Sequence, residues 1–143
     1  MANHWKMAGL EHICGADDWD DFDVRAILCM TNTTADTEDD GMDIIDDLTT
    51  LDRCDDTGYT DQAVANEAVT RDDANNRIEL DGDNISFANN GDASRDVAGI
   101  LLVDYVDGTN DVLLAWLDES ISLDGNTVSV AWDAEGILQA AQA

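Results

Sequence analysis

The chain has almost no positive charge. Of its 143 residues only six are basic, five arginines and the single lysine Lys6, against 33 acidic residues, 27 of them Asp, for a formal net charge of −27. Nucleic acids and anionic membranes are polyanions, and without a basic stripe to neutralise phosphates the chain has no means of holding either. Long apolar runs are lacking too. None approaches the ~20 residues a bilayer-spanning helix needs, and Met1 to Cys14, interrupted by His4, Lys6, Glu11 and His12, has no apolar core of signal-peptide length. A soluble protein made in the cytoplasm is the expectation. Cysteine is scarce and odd in number: Cys14, Cys29 and Cys54 sit at irregular spacings that suggest buried free thiols rather than a disulfide framework. With His12 they match no common zinc finger or ribbon. No Gly-x-Ser-x-Gly, His-Glu-x-x-His or Gly-rich phosphate loop occurs, and among so many carboxylates no acid–base pair stands out. These absences point away from an enzyme.

What is present is acid and a modest core. Apolar residues make up 44% of the chain, gather in strand-length runs and include four Trp, so the chain folds despite its charge. It fits one domain able to bury roughly two thirds of its unfolded surface. Carboxylates in this number repel one another when the Debye length is about 8 Å, and are relieved when molar salt shortens it to roughly 3 Å. Abundant Asp with almost no Lys resembles the composition of proteins from extreme halophiles, which implies a haloarchaeal or similar salt-saturated setting.

The stretch Val97 to Leu117 organises the rest. VAGILLVDYV and DVLLAWL, separated by DGTN, predict a β-hairpin. Ile100, Leu102 and Val106 point to one face, Leu101, Val103 and Tyr105 to the other, so both faces are apolar and each needs cover. Val24 to Met30 alternates as a first strand. Met42, Ile44, Ile45, Leu48 and Leu51 approximate a helical stripe and predict one short helix. Gln62 to Thr70 reads as a weak strand and Asp72 to Asn76 as a loop. Arg77 to Leu80 and Ile85 to Ala88, flanking Asp81-Gly82-Asp83-Asn84, predict a second hairpin. Val128, Val130 and Trp132 alternate in a late strand after Ile121 and Leu123. About eight short strands in all predict a mainly β fold, an antiparallel sandwich or barrel with one short helix. Residues 17–143 form the domain and Met1 to Ala16 an arm or short helix. The arm could pack on the body or reach a neighbouring subunit, and Trp5, Met7 and Leu10, with Leu101, Val103 and Tyr105, are the candidate intersubunit residues.

One spacing suggests a metal. With Asp36 as first ligand of a calcium loop, Glu38 falls third, Asp40 fifth, Gly41 at the sharp turn and Asp47 twelfth, which resembles the EF-hand order. The third position normally holds Asp or Asn and the twelfth a bidentate Glu, and the preceding segment reads as a strand. A solvated acidic loop is the alternative. Asp81 to Asn84 and Asp107 to Asp111 are lesser candidates for a cation.

Between Val24 and Leu138, Gly58-Tyr59-Thr60, Asp72-Asp73-Ala74-Asn75-Asn76-Arg77, Ile85-Ser86-Phe87, Leu114-Ala115-Trp116-Leu117-Asp118 and Trp132-Asp133-Ala134-Glu135-Gly136-Ile137 resemble a group of small virion proteins of tailed phages. The acidity and the N-terminal extension depart from that pattern. The resemblance implies a structural protein of a tailed virus infecting haloarchaea: a decoration or cement protein on the capsid surface, bound to the major capsid protein and commonly a homotrimer. A tail or head–tail connector component and a halophile's calcium-binding β-domain are the competing readings.

Overall fold

The computed structural model describes residues 4–6, 9, 19–88 and 95–141, with backbone alone at 4, 5 and 141. Among them run ten strands: β1 (His4–Trp5), β2 (Val24–Met30), β3 (Gln62–Ala63), β4 (Ala68–Asp72), β5 (Arg77–Asp81), β6 (Ile85–Phe87), β7 (Val97–Asp104), β8 (Val112–Leu117), β9 (Val128–Val130) and β10 (Leu138–Ala141). They pair antiparallel in three sheets, ordered β1-β8-β7-β2-β3, β10-β5-β4 and β6-β9. The fold is mainly β and sandwich-like. No sheet closes into a barrel among the described residues.

The predicted central hairpin is β7–β8, paired from Ile100↔Leu117 to Asp104↔Val112, and β2 lies on the other side of β7. Strand alternation divides their side chains between two cores. Val24, Ala26, Leu28, Ile100, Leu102 and Leu114 face the two smaller sheets, meeting Leu80, Ile85, Phe87 and Leu138, with Val128, Val130 and Trp132 at the margin. Ile27, Cys29, Leu101, Val103, Leu113 and Trp116 face the opposite way, onto Ala35, Ile45 and Leu48. The second apolar face of the hairpin is therefore covered by the chain's own segment between β2 and β3.

That covering segment is not the expected helix. Only Ile45–Asp47 makes a 3-10 turn, flanked by extended Ile44 and Leu48. The apolar spacing meets the core without α-helical bonds because the backbone is drawn into sheet-like pairing: Ile45 N–H donates to Asp111 O, Leu113 N–H to Asp43 O, and Ile44 bridges Val112. Asp47 accepts the N–H groups of Asp43 and Ile44 at 3.0 and 3.1 Å. Tertiary pairing overrides the local pattern.

The second predicted hairpin is also corrected. Arg77 to Leu80 and Ile85 to Phe87 are strands, but β5 pairs with β4 and β10 while β6 pairs with β9. Asp81 to Asn84 carries the chain between sheets, held by Asp83 N–H on Ala65 O at 2.7 Å. At Gly82 a Cβ would lie 2.3 Å from Val64 Cγ1, so a side chain would force the crossing apart. The turn that closes a hairpin here is 73–76, where Asp72 accepts from Ala74 and Asn75 and Asn76 takes φ 51°. The weak strand read from Gln62 to Thr70 is split into β3 and β4, with Asn66 at φ 55° between them.

Candidate functional site

Aspartate is spent locally along the loops. Asp111, nearly buried, accepts the N–H groups of Val106, Asp107 and Gly108 at 2.8–3.1 Å, and Asp107 accepts those of Thr109 and Asn110 at 2.9 and 2.8 Å. The bonds from Asn110 and Thr109 favour the ionised form of Asp107 and hold its carboxyl well below the usual range. Asp124, bonded by the side chain and N–H of Asn126, and Asp72, bonded first by Asn75, are lowered by the same physics. Such carboxylates satisfy turn donors that would otherwise need water.

The candidate calcium ligands follow this rule. Asp36, Glu38, Asp40 and Asp47 lie along one segment, but Glu38 Oε2 accepts from Thr34 Oγ1 at 2.7 Å and from Thr49 N–H at 2.8 Å, and Asp47 caps the 3-10 turn. Among the described residues no three His, Cys, Asp or Glu side chains group as metal ligands would. Of the lesser candidates, Asp83 accepts from Asn66 and Asn84 from the Trp132 N–H.

The same loop holds a cation of the chain's own. Lys6, fully buried, donates from Nζ to the backbone carbonyls of Ala35 and Glu38, each at 2.5 Å. Burial pushes the ammonium pKa down, against the opposing pull of Asp39, Asp36 and Glu38. Its place is set by a short strap. His4 and Trp5 pair with Trp116 and Ala115, and Lys6 N–H donates to Leu114 O at 2.9 Å. Leu114 is the bulged residue of β8, since Leu102 pairs with Ala115 and Val103 with Leu113. At Gly9 a Cβ would lie 2.3 Å from Leu114 O. Sequence reasoning passed over this residue, although a lone lysine among 27 aspartates was the available signal.

The arginines are tied down as well. Arg77 pairs with Asp72, Glu79 and Glu135, Arg95 with Asp52 and Asp55, Arg53 with Asp61, Arg71 with Asp73, and Arg25 with Asp23. Their positive charge is answered within the fold rather than offered as a basic stripe.

Of the candidate intersubunit residues, Leu101 and Val103 are buried within the chain and offer no surface; covering by Ala35, Ile45 and Leu48 corrects that expectation. Tyr105 is half-buried, with the Arg25 guanidinium 3.4 Å above its ring. Trp5 is placed by backbone only, in β1, while Met7 and Leu10 lie outside the described residues, as do His12 and Cys14. Cys29 and Cys54 are buried, Cys29 in the outer core, the one covered by Ile45 and Leu48, and Cys54 in the inner core, which faces the two smaller sheets.

A cleft of about 340 Å³ opens between the central sheet and the β9 region. Ile100, Leu117, Ile121 and Trp132 line it together with Glu119 and Asp133. Trp132 is braced by its Nε1–H on Asp83 O at 2.9 Å. Its lining is mixed, apolar side chains beside two carboxylates. No protein-family model, curated protein or solved structure matches the chain.

Proposed function

We propose that this chain is a non-enzymatic structural protein of a virus particle, a capsid decoration or cement protein seated on the major capsid shell of a halophilic tailed virus, acting as a homotrimer. The observation carrying the reading is that the resembling motifs serve as staples of the fold. Tyr59 stacks on Phe87 and bonds both Leu28 and Asp61. Trp116 fills the outer core, and Asp133 and Gly136 close a turn from which Ile137 N–H reaches Leu80 O. A scaffold held by such staples suits a part that bears load rather than one that turns over substrate. The arginine pairing supports it further, because a shell protein facing other proteins has no need of free cations for polyanions.

Quantitative mass spectrometry of purified particles from a producing culture tests the proposal. Hundreds of copies per particle are expected. A handful of copies reassigns the protein to the tail or connector, and its presence only in the cell lysate rejects a virion role.

A further inference from the structure

The single lysine does not behave as a lysine in a field of carboxylates ordinarily would. Its Nζ bonds two neutral backbone oxygens, Ala35 O and Glu38 O, inside the fold. Backbone carbonyl oxygens are also what replaces the hydration shell of a monovalent cation in a selective site, and two of them converge here. The loop that presents these two carbonyls is also braced by bonds of its own. Thr34 N–H donates to Thr50 O, Thr50 N–H to Thr34 Oγ1, and Glu38 N–H and Thr37 N–H both to Thr34 O, while Ala35 N–H meets Thr33 Oγ1. Glu38's carboxylate ties the turn to Thr49. Ala35 is fully buried, so withdrawal of the ammonium would strand carbonyls that must then find another partner.

We propose that the carbonyl cradle of the 33–40 loop is a binding site for an ammonium-sized monovalent cation, K⁺ or NH₄⁺, which the chain closes with its own Lys6. The strap competes with free ions for this seat. Among the described residues the strap is held besides by two paired residues of β1, by the Lys6 N–H bond to the bulged Leu114 and by the close approach of Gly9 to Leu114. Size selects the ion: the cradle that fits a primary ammonium admits K⁺ and excludes tetramethylammonium. Calcium needs six to eight oxygens including carboxylates, whereas the two oxygens bonded to Nζ are backbone carbonyls.

The test is thermal unfolding of the full chain carrying Lys6→Met, in KCl and in tetramethylammonium chloride at equal molarity. With the tethered ammonium gone, K⁺ should raise Tm above the tetramethylammonium value in a saturable way, by about 4 °C at tenfold excess over its dissociation constant. The unsubstituted protein should show no such saturable gain. Equal Tm in the two salts for folded Lys6→Met overturns the proposal. If that variant unfolds in both salts, amide exchange of the unsubstituted protein decides. Faster exchange at Lys6 in KCl than in tetramethylammonium chloride supports competition for the seat, and equal rates overturn it.

Discussion

The hydroxyl of Tyr59 accepts the backbone N–H of Leu28 at 2.9 Å. Leu28 belongs to the central strand β2 and is fully buried, while Tyr59 arrives from the connection leading into β3. The same hydroxyl donates to Asp61 Oδ1 at 2.6 Å, and the ring lies on Phe87 with centroids 5.8 Å apart. One side chain thus pins a central strand, a loop and the smaller β6–β9 sheet.

Tyr59→Phe keeps the ring and removes the oxygen, leaving a buried N–H without its acceptor. The expected loss is about 1–3 kcal/mol. Urea unfolding should show a lower midpoint at unchanged m-value, since the surface exposed on unfolding stays the same. Tyr59→Ala, which also removes the stacked ring, should cost more than Tyr59→Phe.

The outer layer is core rather than cover to be shed. Ile45, Leu48 and Ala35 bury Leu101, Val103 and Trp116 as completely as the inner layer buries Leu102 and Leu114. Leu101→Ala and Ile45→Ala are each expected to cost about 2–5 kcal/mol in a single cooperative transition. If the covering segment peeled away on its own, Ile45→Ala would leave the main denaturation midpoint where it was.

How far the residues announce this arrangement depends on the range of the forces involved. The two-faced apolarity of Val97 to Leu117 is a local pattern, and it placed the central hairpin and required a layer on each side. Ile78, Leu80, Ile85 and Phe87 alternate just as clearly, yet alternation marks a strand without naming its partner. Asp81 to Asn84 has the composition of a tight turn and serves as a crossing, because Gly82 must pass close to Val64. Met42 to Leu51 shows apolar spacing that fits a helix and a draped loop alike, and Asp111 and Leu113 decide between them. The acidic loops show the same limit: Asp36 to Asp47 has the spacing of metal ligands, and only three dimensions reveal that Glu38 and Asp47 also accept backbone N–H groups of their own segment.

Salt is expected to stabilise the protein into the molar range. Of the arginine pairs, Arg71–Asp73 is exposed and contributes little, while those of Arg77 with Asp72 and Glu79 are largely shielded from salt. The repulsion that screening relieves belongs to a net charge of −27 and acts over the whole surface. Tm should climb steeply from low to molar KCl and also, less specifically, with other salts. An unchanged Tm across that range would contradict the argument.

Alkali should destabilise the fold through groups that burial keeps protonated. Burial pushes the Cys29 thiol up to about 12, and it raises the Tyr59 phenol as well, with the Asp61 charge adding to the effect. In the unfolded chain a thiol ionises near 8.5. The folded state therefore binds the proton more tightly, the contribution is fully present below the unfolded pKa, and it drains away as pH rises from about 9 towards the folded value. Over that window one such thiol costs about 1.4 kcal/mol per pH unit. Denaturation midpoints measured from pH 8 to 10 should fall accordingly, and Cys29→Ala, whatever it costs in packing, should flatten the slope by one group's worth. The native thiol should also resist a thiol-specific reagent at pH 8 until denaturant is added, because Cys29 is fully buried in the outer core and its thiolate is disfavoured. Prompt labelling of Cys29 without denaturant would mean that the layer carrying Ile45 and Leu48 opens far more readily than its packing against Leu101 implies.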